Sequence, residues 1–181
     1  MLALTGFFEQ CTGRWTIERT YYYLPEMRTE RSHTNYYVQP LLPQGRAKVL
    51  TDNHQTDPGE AIGGGFHLAF DTTSETGEKV AMTLNILFLP TQGGDREGLY
   101  LRDRAYEEDR PIASQFRYDP ERAEMLMTTP YTRVVSVDSI TFLNPDLRLR
   151  RIINFRKPDH GPLTEPLLIG FGVEQRVGSL V

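Results

Sequence analysis

Apolar and polar residues alternate along most of this chain of 181 residues, and turn-forming residues interrupt the alternation at short intervals. From Gly13 onward, one face of a strand would carry Trp15, Ile17, Arg19, Tyr21 and Tyr23. Further strand-like runs are centred on Tyr37, Val49, Leu68, Leu84, Leu101, Phe116, Leu126, Val137, Ile152 and Ile169. Many short strands separated by clusters of Gly, Pro, Asp and Asn predict an all-β sandwich or barrel.

A closed barrel is favoured over a sandwich, because closure removes exposed strand edges and short turns suit an up-and-down arrangement. The segment from Thr5 to Cys11 predicts a short helix capped by Thr5 and ended by Gly13. We therefore predict a single domain over residues 1–181. Its fold would be a lipocalin-like antiparallel β-barrel of about ten strands with a short N-terminal helix and room for one small ligand.

Composition excludes several classes of function. The net charge of −4 argues against a general attraction to nucleic acid, and no apolar run reaches the roughly 20 residues of a membrane-spanning helix. Residues 1–10 lack the features of a secretory signal, and Cys11 is the only cysteine, so no intrachain disulfide is expected. A reducing compartment is the natural interpretation, either a cytoplasm or a plastid stroma.

Several candidate motifs have simple structural interpretations. The histidines are scattered without metal-ligand spacing, so no metal site is expected. The run Gly63-Gly64-Gly65 lacks the Lys-Ser or Lys-Thr pair of a phosphate loop, which favours a bend or bulge entering a strand. Cys11 lies beside core-type phenylalanines, which favours a small buried thiol over a nucleophile.

Three pairs of residues on shared strand faces allow two interpretations each. Arg148 and Arg150 share a face, and the pattern alone favours solvated arginines with Leu147 and Leu149 in the core. Placed inside a barrel, the two arginines would need an anionic partner, such as a ligand with two carboxylates. Trp15 with Arg19 fits simple packing or the flank of a flat conjugated ligand. Glu174 with Arg176 fits a surface ion pair or an acid inside a cavity.

At these residues the sequence resembles the S-type phycobiliprotein chromophore lyases, the CpcS/CpeS family. The opening segment from Phe7 to Thr20 has the family's two phenylalanines, glycine, tryptophan and arginine at the family's spacing. Residues 57–64 and 97–112 resemble two further blocks, and the most specific match is Asn144-Pro145-Asp146-Leu147-Arg148-Leu149-Arg150. These blocks follow in order along nearly the whole chain.

The resemblance implies a lyase that binds a linear tetrapyrrole, phycocyanobilin or phycoerythrobilin, as its substrate. The pigment would be delivered to a cysteine of an apo-phycobiliprotein subunit, where the thiol adds to the ethylidene group of ring A. Arg19, Arg148 and Arg150 match family arginines that contact the bilin, and Glu174 and Asp138 match family acids. Trp15 matches the first-strand tryptophan, and Phe70 stands where many members have a tryptophan.

The chain departs from the family pattern at Tyr22 and Tyr23, where many members have two histidines, and at Phe70. These departures leave open which bilin is bound and whether the chain acts alone. Two rivals therefore stand beside the lyase: a non-enzymatic intracellular tetrapyrrole carrier, and a helper subunit of a two-chain lyase. A homodimer or a heterodimer with a related subunit is also compatible with exposed aromatic strand faces.

Overall fold

Ten antiparallel strands close into one barrel in the computed structural model, which describes residues 1–57, 59, 63–91, 94–103, 108 and 110–178. Each strand pairs with the next in the chain, and the first pairs with the last. The strands are β1 (Gly13–Tyr23), β2 (Arg28–Pro40), β3 (Gly64–Ser74), β4 (Lys79–Pro90), β5 (Glu97–Arg102), β6 (Ser114–Asp119), β7 (Glu124–Pro130), β8 (Val134–Asn144), β9 (Leu147–Arg156) and β10 (Pro166–Arg176). The predicted barrel is confirmed.

The predicted N-terminal helix, α1 (Leu4–Cys11), closes one end of the barrel. Phe7 packs edge-on against Phe142 with ring centroids 5.2 Å apart, and Phe8 lies 4.9 Å from Phe88. Tyr118 donates a hydrogen bond of 2.7 Å to the carbonyl of Leu2 and holds the segment before the helix. The predicted Thr5 cap is wrong, because the helix begins one residue earlier, after Ala3, and has no side-chain cap.

Glycine at position 64 allows α1 to approach the barrel wall. A Cβ placed on Gly64 would lie 2.4 Å from the Phe8 ring, a distance that no real packing tolerates. The pairing of Gly64 with Phe88 and Gly65 with Leu87 is regular, so the predicted bulge is absent at these residues. The glycines serve close helix–strand packing instead.

A second helix, α2 (Pro43–Asp52), replaces the strand that was predicted around Val49. Val49 and Leu50 are buried against Leu87 and Leu101, which point outward from β4 and β5. The prediction was wrong because a short apolar run is compatible with either a strand or one face of a helix. Pro43 in the first turn favours the helix, since its ring fixes a helical φ.

Neither α1 nor α2 is long and apolar enough to cross a membrane. Within the described parts of the chain, no cluster of His, Cys, Asp and Glu side chains has the composition of a metal site.

Candidate functional site

Two arginines of β9, Arg148 and Arg150, point into the barrel. Arg148 pairs in register with Glu174, and Arg150 pairs with Gly172, so each shares the inward face of β9 and β10. Leu147 and Leu149 occupy the outer face, where both are only partly buried. The expectation of solvated arginines over core leucines is therefore wrong, and so is the expectation of a surface ion pair at Glu174.

Arg148 and Glu174 form an ion pair next to the end closed by α1. Arg148 Nε donates to Glu174 Oε2, and the two residues are 3% and 0% exposed. The guanidinium carbon of Arg148 lies 4.1 Å from the centroid of the Trp15 ring. Trp15 itself is fully buried and donates its indole N–H to the carbonyl of Cys11 at 2.9 Å. Three predicted site residues thus meet at the floor of the barrel.

The opposite half of the barrel encloses a cavity. Inward-facing side chains around α1 are buried, whereas several inward-facing side chains farther along the strands keep accessible surface. Because these strands belong to a closed barrel, that accessible surface faces an internal space rather than the outside. Its walls include Arg19, Tyr21, Phe70, Met82, Arg102, Asp138, Ile140, Arg150, Ile152 and Asn154.

Arg19 is held in this cavity by two phenol groups. Its Nη1 donates to the Tyr21 hydroxyl at 2.5 Å, and its Nη2 donates to the Tyr36 hydroxyl. The Nε atom is buried and has no hydrogen-bond partner among the described residues. A neutral phenol accepts a hydrogen bond without cancelling the guanidinium charge, so Arg19 keeps both its charge and one unused donor.

Arg150 faces an acid across the cavity wall. Its Nη2 lies 3.6 Å from Asp138 Oδ1, and both side chains remain about one-fifth exposed, at 21% and 20%. Burial acts to lower the pKa of Arg150, but the Asp138 carboxylate together with Tyr36, Glu174 and Tyr100 outweighs burial, and the pKa is raised. As in Arg19, the Nε atom has no partner within the described part of the chain.

Arg102 is a cavity arginine that sequence reasoning missed. It follows Tyr100 on the inward face of β5, and its Nη2 donates to the Tyr131 hydroxyl at 2.9 Å. The available signal was the alternation of Tyr100 and Arg102 beside Leu99 and Leu101. The same alternation is present at Arg148 and Arg150, but alternation does not indicate which face of a strand is buried.

Positive charge exceeds negative charge inside the barrel. Two ion pairs bound the interior. At the closed end, Arg176 Nε lies 3.1 Å from Asp146 Oδ1, and at the rim, Arg28 Nη1 lies 2.7 Å from Glu30 Oε2. Between them, four guanidinium groups and two carboxylates face the interior among the described residues, an excess of two positive charges (four minus two). These groups are Arg19, Arg102, Arg148, Arg150, Asp138 and Glu174.

Aromatic and apolar side chains fill the wall beside these charges. The Phe70 ring lies 6.0 Å from the Tyr36 ring, centroid to centroid, and Phe70 pairs in register with Met82. Phe70 therefore borders the cavity, whereas Trp15 forms part of its floor. A flat conjugated ligand would meet apolar surface on the β3 and β4 side and cations on the β1 and β9 side.

The two tyrosines that depart from the family pattern lie near the rim. Tyr22 is 45% exposed on the outside of β1. Tyr23 faces the rim, where the Arg28 guanidinium carbon is 3.9 Å from its ring centroid. Of the two, Tyr23 is the one near the mouth of the cavity.

Cys11 is buried beneath the floor, as predicted, with 2% exposure. Burial raises the pKa of its thiol to about 11, so the thiol is protonated at neutral pH. A protonated buried thiol is a packing group rather than a nucleophile.

Comparisons with known proteins show the family of this chain. The model of a family described as CpeS-like protein matches residues 3–177. The chain is 54% identical over 176 residues to chromophore lyase CpcS/CpeS 1 of Synechococcus sp. (strain JA-3-3Ab), covering 94% of this chain and 95% of that protein. It is 29% identical over 150 residues to the phycocyanobilin lyase subunit CpcS of a Picosynechococcus species, covering 80% of this chain and 74% of that one.

A solved structure has the same fold. The S-type phycobiliprotein lyase CpeS from Guillardia theta superposes with a TM-score of 0.80 over 98% of this chain and 94% of that chain. At 18% sequence identity, this likeness concerns the fold.

Proposed function

The chain belongs to the CpeS-like family, and from this premise we propose that it binds a linear tetrapyrrole and attaches it to an apo-phycobiliprotein subunit. The bond formed is a thioether to a cysteine of the acceptor. The observation that carries the proposal is the excess of two positive charges that the described residues place inside the barrel. Buried charge without a counterion is costly, and the two propionates of phycocyanobilin or phycoerythrobilin match that excess.

Arg19 and Arg150 bind propionate in this proposal. Each presents a buried Nε–H that no described residue uses. The positive charge of Arg150 acts to lower the pKa of Arg19, which indicates that the two guanidinium groups lie close together. A carboxylate between them would relieve their mutual repulsion. Each charge-assisted hydrogen bond contributes on the order of 1.5–3 kcal/mol.

Glu174 acts on the pyrrole nitrogens, with Asp138 as the second acid. Glu174 Oε1 is buried without a partner among the described residues, so it has a free acceptor. As a carboxylate paired with Arg148, it accepts hydrogen bonds from pyrrole N–H groups and holds the pigment in place. Arg148, which binds the other carboxylate oxygen, orients Glu174 rather than contacting propionate itself.

The transfer step is an addition without any change in oxidation state overall. The acceptor's sulfur forms a bond to the ethylidene carbon of ring A, the exocyclic double bond is lost, and the thiol proton ends on the pigment. The barrel holds a flexible chain of four rings in one conformation, which brings ring A to the mouth and limits additions elsewhere. Phe70 provides aromatic surface for this restraint, and Trp15, which is fully buried, supports the floor beneath it.

The partners are the bilin and the apo-phycobiliprotein subunit, encountered in a cyanobacterial cytosol or a plastid stroma. Self-association, or pairing with a related lyase subunit, would use the outer sheet face on which Tyr22, Phe171 and Val173 are exposed. Such a face is typical of a contact surface.

One assay tests the proposal against its rivals. The protein is mixed with phycocyanobilin or phycoerythrobilin and its absorption spectrum is measured, and then an apo-subunit is added. A shifted spectrum followed by pigment that stays on the acceptor after denaturation is the expected result. A shift without transfer would instead identify a carrier, and neither signal would identify a helper subunit and overturn the proposal.

Two neighbouring arginines provide the matched variants. Arg150 faces the cavity, whereas Arg151 faces outward, is 53% exposed and lies 3.6 Å from Glu124. Arg150→Gln should weaken bilin binding by at least about tenfold, the loss of one charge-assisted contact. Arg151→Gln should leave it unchanged. Equal effects of the two substitutions would contradict the propionate role of Arg150.

A further inference from the structure

Arg102 stands on the far wall of the cavity from Arg19. Counting from β1 through β2, β3 and β4, β5 is four strands away in a barrel of ten. Arg150, on β9, is two strands from β1 in the other direction. The three inward-facing arginines of the cavity are therefore spread around its circumference rather than clustered at one point.

We propose that Arg102, held by Tyr131, forms a second carboxylate subsite that receives one propionate while Arg19 and Arg150 receive the other. This inference rests on the proposed function and adds to it the division of the two propionates. It also assigns a role to a tyrosine outside the barrel strands, since Tyr131 follows the end of β7.

The contacts of Arg102 hold the guanidinium without neutralising it. Its Nη2 donates to the Tyr131 hydroxyl at 2.9 Å, and its guanidinium carbon lies 5.5 Å and 5.7 Å from the ring centroids of Tyr100 and Tyr131. None of the ion pairs among the described residues includes Arg102. Aromatic rings and a phenol restrict where the guanidinium points, so little entropy is left to lose when an anion binds.

Asp138 does not remove the excess of positive charge in the cavity. It acts electrostatically on both Arg150 and Arg102, but it lies 3.6 Å from Arg150 and accepts a hydrogen bond of 3.3 Å from Ser136. Its ion pair is with Arg150, so the positive charge of Arg102 is not paired with any described carboxylate. The phenol-bound Arg19 leaves the other charge on the opposite side. Two separate positive charges, at Arg102 and at Arg19, favour a dianion whose two carboxylates bind at two different points of the cavity wall.

The test compares the free diacid of phycocyanobilin with its dimethyl ester, which has the same ring system without the charges. Affinities are measured by absorption titration for the full chain and for Arg102→Gln, Tyr131→Phe and Arg117→Gln. Arg117 is the control, because it is an exposed arginine on the outer face of β6. Arg102→Gln should weaken diacid binding by about tenfold to a hundredfold and change ester binding by less than about threefold.

Tyr131 is a positioning residue that acts through Arg102. Its test therefore compares Tyr131→Phe in the wild-type chain with the same substitution in the Arg102→Gln variant. Tyr131→Phe should weaken diacid binding by about threefold to tenfold, as expected for one lost hydrogen bond. In an Arg102→Gln background the same substitution should have no further effect. Equal losses in both backgrounds would show a purely structural role for the Tyr131 hydroxyl and overturn its part in the subsite.

The remaining outcomes separate this inference from the function on which it rests. Equal weakening of diacid and ester by Arg102→Gln would overturn the subsite, because the loss would not depend on ligand charge. An unchanged diacid affinity in Arg102→Gln, together with a loss in Arg150→Gln, would also overturn it and leave the proposed function intact. A wild-type chain that binds neither form would instead contradict the proposed function itself.

Discussion

Arg148 and Glu174 lie directly opposite each other on β9 and β10 and form an ion pair that is closed off from solvent, with 3% and 0% of the two residues exposed. Removing one partner leaves the other charge buried. We therefore expect Glu174→Leu to lower the free energy of unfolding by about 3–5 kcal/mol, measured by urea denaturation.

A double variant and a surface pair control this prediction. Adding Arg148→Met to Glu174→Leu should recover most of the loss, because the unpaired charge is then gone. Arg156 and Glu165 form a pair at 2.8 Å in which both side chains are more than half exposed. Glu165→Leu should cost less than about 1 kcal/mol. A Glu174→Leu variant no less stable than Glu165→Leu would contradict the buried-pair argument.

The contact between Gly64 and Phe8 predicts a second stability effect. In Gly64→Ala the added methyl would lie 2.4 Å from the Phe8 ring, so α1 must shift away from the barrel. A destabilisation of about 1–3 kcal/mol is expected in thermal or urea unfolding. Gly94→Ala is the control, because a Cβ at Gly94 meets nothing within 4 Å. Equal stabilities of the two variants would show that α1 is not packed tightly at this point.

At Met27 we expect a substitution to raise stability, the opposite of the effect of Gly64→Ala. It is 94% exposed in the turn between β1 and β2, and its φ of 48° is in the left-handed region that favours glycine. Met27→Gly should stabilise the protein by roughly 0.5 kcal/mol, since relief of the left-handed conformation exceeds the extra entropy of the unfolded chain. The neighbouring Glu26→Gly should destabilise it instead. The stabilities of both variants are measured by calorimetric unfolding. A loss of stability in Met27→Gly would contradict the argument that the left-handed backbone conformation of Met27 is unfavourable.

Cys11 predicts a dependence on alkaline pH. Burial raises the pKa of the folded thiol to about 11 from an ordinary value of 9.0. Above pH 9 the unfolded thiol loses its proton while the folded thiol keeps it. The contribution of Cys11 to stability is thus complete below pH 9 and is lost as the pH rises towards 11.

Comparison with Cys11→Ala isolates this effect from other groups that titrate at high pH. Unfolding by urea between pH 8 and pH 11 should show a steeper loss of stability in the wild-type chain than in Cys11→Ala. The native thiol should also react slowly with a disulfide reagent at pH 8 and quickly in urea. Parallel stability curves for the two proteins would mean that the folded thiol is not shielded.

Much of the fold follows from local sequence. Alternation from Trp15 to Tyr23 predicts β1, and the apolar segment ending at Cys11 predicts α1, because both patterns repeat within one element. The segment around Val49 was misassigned for a related reason. A short apolar run has no period long enough to separate a helix from a strand, and only the outward leucines of β4 and β5 decide the matter.

The arrangement of the site was less predictable from local sequence than the fold, because it depends on tertiary structure. Alternation placed Arg148 with Arg150 and Glu174 with Arg176, but it gave no indication of which face was buried. The partners of these arginines are distant in the chain: Glu174 is 26 residues from Arg148, and Tyr131 is 29 residues from Arg102. Family resemblance supplied the candidates Arg19, Asp138 and Phe70, and barrel closure brought them to one cavity.

The sequence by itself determined that this chain would form short antiparallel strands with a capping helix, because local periodicity and turn residues act within a few positions. Only the tertiary structure decided that, within the part of the chain that is described, four arginines and two acids face the interior, since that outcome depends on the pairing of β1 with β10 and on strand register. The interior of a closed barrel then leaves two positive charges without a counterion among the described residues. That excess of charge, which no single segment carries, is the basis for the proposed binding of a dianionic tetrapyrrole.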